Sequence, residues 1–146
     1  MKSVRSLIGL PVVWERRPLG YVCQAAPDER LQRLDRIYFS SGTGARFIEH
    51  NQVDAIGDVA ILVHAAGKRA QLPTPLLPRR AISTDGARVG AITDALIDEE
   101  TLNIDMLELS RGVFDDFSSG RARIGRFSVL ANGDIVIETP EGGESS

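Results

Sequence analysis

The stretch Phe127-Ser-Val-Leu-Ala-Asn-Gly-Asp-Ile-Val-Ile-Glu138 decides the fold class of this chain. It places Asn132-Gly133 between two short apolar runs. This dipeptide suits a two-residue type I′ turn, because both residues tolerate positive φ. The stretch therefore predicts a β-hairpin. Earlier in the chain, Ile56-Gly57-Asp58 precedes Val59-Ala-Ile-Leu-Val63 and predicts a second hairpin with a less favourable turn.

The remaining apolar runs are also short, four to six residues, and they end at glycine or at charged pairs. This pattern is typical of strands. Two segments could form a helical turn, Glu49–Val53 and Gly112–Phe117, but both are too short to build a helical core. The sequence therefore predicts an all-β protein.

The chain also repeats itself. Sliding it by seventy positions aligns residues 12–42 with residues 82–112 without a gap. The identical pairs are Gly20/Gly90, Ala25/Ala95, Asp28/Asp98, Glu29/Glu99, Asp35/Asp105, Ser40/Ser110 and Gly42/Gly112. After a six-residue insertion the alignment resumes with Val53/Val129, Gly57/Gly133, Asp58/Asp134, Val59/Ile135 and Ile61/Ile137. We infer two copies of one structural unit.

Between the copies, residues 67–78 contain Pro73, Pro75 and Pro78, which exclude a helix or a central strand. We interpret this segment as an extended, semi-rigid linker. The predicted division is a first barrel at 1–66, the linker at 67–78, a second barrel at 79–140 and a disordered tail at 141–146. A unit of about sixty residues is marginal alone, so we expect the copies to pack together or to dimerise.

The composition limits the class of protein. The 146 residues carry a net charge of −3, which argues against a dedicated nucleic-acid binder. The single cysteine, Cys23, cannot form an internal disulfide. The apolar segment Val4–Val13 is interrupted by charge, glycine and proline, and it is shorter than the ~20 residues of a membrane span. We expect a cytoplasmic protein without a membrane span.

Several motifs carry a family resemblance. The first copy opens with Ser6-Leu-Ile-Gly-Leu-Pro-Val-Val13 and closes with Val53, then Ile56-Gly57-Asp58. The second copy contains Asp85-Gly-Ala-Arg-Val-Gly-Ala-Ile-Thr-Asp94 but lacks the Leu-Ile-Gly opening. The chain thus resembles the PRC-barrel family, in particular bacterial proteins with two tandem barrels. The resemblance implies two small PRC-type β-barrels joined by the proline-rich linker. It also implies a largely non-catalytic module, as in the reaction-centre H subunit and the C-terminal half of the ribosome-maturation factor.

Catalytic and cofactor motifs are missing from the sequence. It has no Gly-x-Ser-x-Gly elbow, no phosphate loop ending in Gly-Lys-Ser/Thr and no His-Glu-x-x-His. The acidic residues Asp94, Asp98, Glu99 and Glu100 could hold a hard cation, but such a run is more typical of a solvated loop. We therefore predict no catalytic residues, no cofactor and no metal, and hence no enzyme.

Six residues are candidates for binding a partner: Trp14, Arg16, Arg17, Arg121, Arg123 and Arg126. Exposed arginines recognise acidic or phosphate groups, and a tryptophan at a strand end can anchor a partner or belong to the core. Our first hypothesis is a non-enzymatic adaptor that binds a protein. The alternative is an RNA- or ribosome-associated module that uses the arginine-bearing loops. A small-ligand or enzymatic barrel ranks last, because each barrel is too small to hold both a core and a cavity.

Overall fold

The structure, a computed structural model, describes residues 1–111 and 122–138. Within these residues it is built from strands, with two short 3-10 helices at Val4–Leu7 and His50–Gln52. The strands are β1 (Lys2–Ser3), β2 (Pro11–Trp14), β3 (Arg17–Pro27), β4 (Leu34–Ser41), β5 (Gly44–Glu49), β6 (Val53–Ile56), β7 (Ile61–Val63), β8 (Lys68–Arg69), β9 (Arg79–Ile82), β10 (Arg88–Ile97), β11 (Ile104–Ser110), β12 (Ala122–Ile124), β13 (Phe127–Val129) and β14 (Ile135–Ile137). The all-β prediction is confirmed.

The strands form two curled, barrel-like sheets. The first has the order β6-β7-β2-β3-β4-β5-β8, and the second has β12-β11-β10-β9-β14-β13, with β1 on the free part of β10. In each sheet one parallel pair brings the last hairpin back to the first strand: β2 pairs with β7, and β9 pairs with β14. The two units therefore share one topology, as the internal repeat predicted.

Two turns differ from the sequence-based prediction. Asn132-Gly133 lies in a hairpin, as predicted, but the loop spans three residues between Leu130 and Asp134, whose backbone N–H and C=O bond at 2.8 Å. In that loop Gly133 alone supplies the positive φ, 94°, so the turn is not type I′. The two-residue turn with two positive φ angles is instead Glu15-Arg16, at 52° and 67°. Neither residue is a glycine or an asparagine, so the residue types do not predict this turn.

The repeat register after the insertion is also corrected. Val59 was paired with Ile135 by sequence, yet Val59 lies in the turn and is 78% exposed, whereas Ile135 is fully buried. The turn at Gly57–Ala60 is closed by a 2.9 Å backbone bond. Ile61 and Ile135 occupy the equivalent buried positions, each in the parallel pair. The sequence alignment matches the wrong residues after the turn because the two hairpin loops have unequal lengths.

The segment that precedes each unit packs against the other unit. We call residues 2–7 the first arm, and its Lys2 and Ser3 pair with Ile97 and Leu96 at the end of β10. Residues 71–78, the second arm, lie beside β3, where the Gln24 side chain donates to the Pro73 carbonyl at 3.1 Å. The expected linker is therefore also a packing element. Its prolines remove the N–H groups that would let it pair as a strand.

The two units share one core. Their equivalent loop tips meet: Leu34 N–H donates to the Leu102 carbonyl at 2.8 Å, and Ile104 N–H donates to Gln32 at 2.9 Å. Leu31 and Leu102 are almost fully buried at this junction. A single hydrophobic cluster runs through both sheets, so the prediction that the copies pack against each other is confirmed. The proposed tail and Gly112–Phe117 lie outside the described residues.

Candidate functional site

A cavity of about 650 Å³ lies where the two units and the two arms meet. Its walls come from the first arm, from β3 and β4, from the second arm and from the middle of β10. The sequence argues against a ligand cavity inside a barrel, because one small barrel has no room for it. That argument does not apply here, because this cavity lies between the units and not inside either barrel.

Two equivalent β-bulges face this cavity. The pairing of β3 with β4 is shifted between Val22 and Gln24, and the pairing of β10 with β11 is shifted between Ile92 and Asp94. Successive side chains of a regular strand point to opposite faces, and a bulge breaks that alternation. Consecutive residues from each unit line the same space: Thr93-Asp94 in the second unit, and Cys23-Gln24 in the first, where the lining run continues to Pro27. The internal repeat contained this signal, since these pairs align at the seventy-residue spacing.

Asp94 is the most deeply placed charge in the cavity. It is 4% exposed, and its Oδ1 accepts backbone N–H groups from Ala95 at 2.8 Å and Arg5 at 3.2 Å. None of the six ion pairs found in the described part of the chain includes Asp94. A buried carboxylate without a cationic side chain is costly. The sequence reading had grouped Asp94 with an exposed acidic loop, and this is corrected.

The Thr93 hydroxyl beside it is buried and has no hydrogen-bond partner within residues 1–111 and 122–138. Leaving such a group unpaired costs about 1–3 kcal/mol. We therefore expect Thr93→Val to raise the free energy of unfolding by about 1 kcal/mol in urea denaturation, since the shape is nearly kept and the unpaired hydroxyl is removed.

The matched control is Thr101→Val. The Thr101 Oγ1 accepts the Asn103 N–H at 3.2 Å, so this substitution should lower stability. If both substitutions lowered the free energy of unfolding by the same amount, the Thr93 hydroxyl would have a partner in solution.

Cys23 and the acidic loop have structural roles. Burial raises the pKa of the Cys23 thiol, which keeps it protonated and poorly nucleophilic. Asp98 accepts the Glu100 and Thr101 N–H groups, and these bonds lower the pKa of its carboxyl. The Asp98 carboxylate thus stabilises its own turn, in agreement with the prediction of a loop at this position. No cluster of potential metal ligands occurs in residues 1–111 and 122–138.

The predicted partner-binding residues fall in separate places. Trp14 is half-buried against the core, and Arg16 and Arg17 are exposed in the β2–β3 hairpin. Arg123 lies in strand β12 opposite Glu108, so its expected place in a loop is corrected. Arg126 is exposed between β12 and β13, and Arg121 lies outside the described residues.

The structure shows a row of exposed apolar residues that the sequence does not predict. It crosses four strands of the first sheet in register, from Ala55 to Leu62, Val13 and Pro18. The alternation along β7 explains its position: Ile61 and Val63 are buried, and Leu62 between them is 46% exposed. On the same face, Tyr21 is 55% exposed. We call Val13, Pro18, Tyr21, Ala55 and Leu62 the outer apolar row.

Comparison of the chain with models of known protein families and with curated proteins finds no match. Among the described residues, no helix has the length and apolar character needed to cross a membrane. The site therefore has to be interpreted from its own geometry.

Proposed function

We propose that this chain is a non-enzymatic, PRC-barrel-like protein that binds a partner protein through the outer apolar row. The observation that carries the proposal is the row itself. Four apolar residues stand side by side on the solvent face of a sheet, where polar residues are usual. Contiguous exposed apolar surface on a folded protein is typical of interaction sites.

The charge at one end of the row selects the kind of partner. Pro18 in the row directly follows Arg17, and Arg16 forms the adjoining turn. Both arginines are exposed. We therefore infer a partner with an apolar strand or loop flanked by acidic side chains, because such charges steer the encounter and fix the orientation.

The single cysteine supports a cytoplasmic location as part of the same proposal.

The experiment compares Leu62→Glu with Leu130→Glu. Both residues are exposed leucines, at 46% and 40%, but only Leu62 belongs to the row. The wild-type protein is used to capture a partner from native lysate, and the purified partner is then titrated against each variant. We expect Leu62→Glu to weaken binding at least ~10-fold, as for an interface hot spot, and Leu130→Glu to leave it unchanged.

Arg17→Glu should weaken the same complex, and its effect should shrink at high salt. Equal binding by wild-type protein and Leu62→Glu would refute the role of the row. Capture that disappears after ribonuclease treatment would replace the proposal with the RNA-associated alternative.

A further inference from the structure

We propose that the cavity between the two units binds a small organic ammonium ion. In this arrangement the cationic group lies at Asp94 and Thr93, and the apolar body contacts the two arms. A volume of about 650 Å³ is within the ~300–1,000 Å³ range of small-molecule sites. The inference goes beyond the proposed partner surface, since no residue of the outer apolar row lines this cavity.

The charge of the ligand follows from Asp94. Its carboxylate is buried and accepts two backbone N–H groups at Oδ1, and none of the ion pairs among the described residues gives it a cationic side chain. Arg5 contributes its N–H to this contact, while its side chain is exposed. A bound ammonium group would supply the missing positive charge, and charge-assisted bonds of this type are stronger than neutral ones.

Of the three other charged residues in the walls, Arg5 has an exposed side chain, and Asp35 and Arg36 have partners. Asp35 lies 3.6 Å from the Arg33 guanidinium and 3.7 Å from His50 Nδ1. The Arg36 guanidinium stacks 4.3 Å from the centre of the Phe47 ring. These residues therefore do not compete strongly for a ligand charge, and Asp94 is the acceptor that a cation would select.

The Thr93 hydroxyl supplies the second polar contact. Thr93 lines the same cavity, but its hydroxyl is buried and without a partner among the described residues, so a rotation about χ1 would turn it toward the bound ammonium group. An ammonium group carries three donors, so it can bond the carboxylate and the hydroxyl together. Binding would thus satisfy two groups that are costly in the empty cavity.

The side chains of the two arms determine which kind of ligand body fits the cavity. Val4 of the first arm and the adjoining Ile8 border the cavity on one side, and Pro75, Leu76 and Leu77 of the second arm border it on the other. These side chains offer no charge and few hydrogen bonds. They favour a short aliphatic or aromatic body over a polar one, such as a sugar.

The test uses three probes of one shape: n-hexylamine, 1-hexanol and hexanoate, each titrated at pH 7 and followed by protein amide NMR shifts. We expect hexylamine to bind at least ~10-fold more tightly than either other probe, with shifts at Cys23, Thr93 and Ala95. Asp94→Asn keeps an oxygen for both backbone N–H groups and removes the charge. It should abolish the preference for hexylamine over 1-hexanol.

Asp35→Asn is the matched control, because Asp35 lines the cavity but is already paired; it should bind hexylamine as the wild type does. Thr93→Val, which retains the side-chain shape, should weaken hexylamine binding a few-fold, and it provides the test if Asp94→Asn fails to fold. Equal affinity for hexylamine and hexanoate, shifts that do not saturate, or an unchanged preference in both variants would overturn the inference. Leu62→Glu should bind hexylamine normally, so failure of the partner surface and failure of this site can be told apart.

Discussion

Replacing Gly20 with alanine is expected to unfold the protein or to destabilise it by more than about 4 kcal/mol. A Cβ at this position would lie 2.0 Å from the Ser40 carbonyl oxygen and 2.8 Å from its carbon. Both atoms are backbone of the neighbouring strand, so no side-chain rotation relieves the clash. Since whole domains are stable by only about 5–15 kcal/mol, one such substitution removes a large part of the free energy of unfolding.

The measurement is urea denaturation followed by the fluorescence of Trp14, the only tryptophan. Gly42→Ala is the matched control, because a Cβ there meets nothing within 4 Å, and it should change stability by less than ~0.5 kcal/mol. Gly90→Ala should repeat the loss, since its Cβ would lie 2.4 Å from the Ser110 carbonyl oxygen. A Gly20→Ala protein as stable as Gly42→Ala would show that the two strands are farther apart in solution.

The second large effect is expected from Leu7→Ala. Leu7 ends the short helix of the first arm, is fully buried, and belongs to the cluster that spans both units. Deleting a buried leucine side chain to alanine typically costs about 2–5 kcal/mol. Because the core is shared, the loss should lower the stability of both units in one transition.

Ile8→Ala is the control, since the neighbouring Ile8 is 53% exposed and should contribute less than ~1 kcal/mol. Trp14 fluorescence reports on the first unit, and amide exchange of Leu96 and Leu107 reports on the second. We expect both signals to shift together in Leu7→Ala. Two separate transitions, with only one displaced, would contradict the idea of a shared core.

The hairpins illustrate what local residues can and cannot predict. The Asn132-Gly133 pair correctly predicted a reversal of the chain, because glycine accepts the positive φ of 94° found there. The loop length was wrong, since a three-residue and a two-residue loop use similar residues and the pairing of β13 with β14 decides between them. At Glu15-Arg16 no local signal existed, and the strands on either side impose the turn.

The candidate site was less predictable than the fold. Asp94 was placed with the acids of the next loop because sequence distance does not reveal burial, yet its carboxylate lies in the cavity at 4% exposure. Leu62 is one apolar residue among several in its strand. Its exposure follows from Ile61 and Val63 facing the core, which only the strand register establishes.

The amino-acid sequence by itself determined that this protein is all-β and that one unit occurs twice. Strand propensity, turn residues and the Gly20/Gly90 and Ser40/Ser110 pairs are local or repeated features, so they are readable without coordinates. Only the tertiary structure decided that each arm packs on the opposite unit and that the two bulges meet at one cavity. Those contacts join residues up to 95 positions apart, such as Lys2 and Ile97. They depend on how the two sheets bury a common core, which no local pattern encodes.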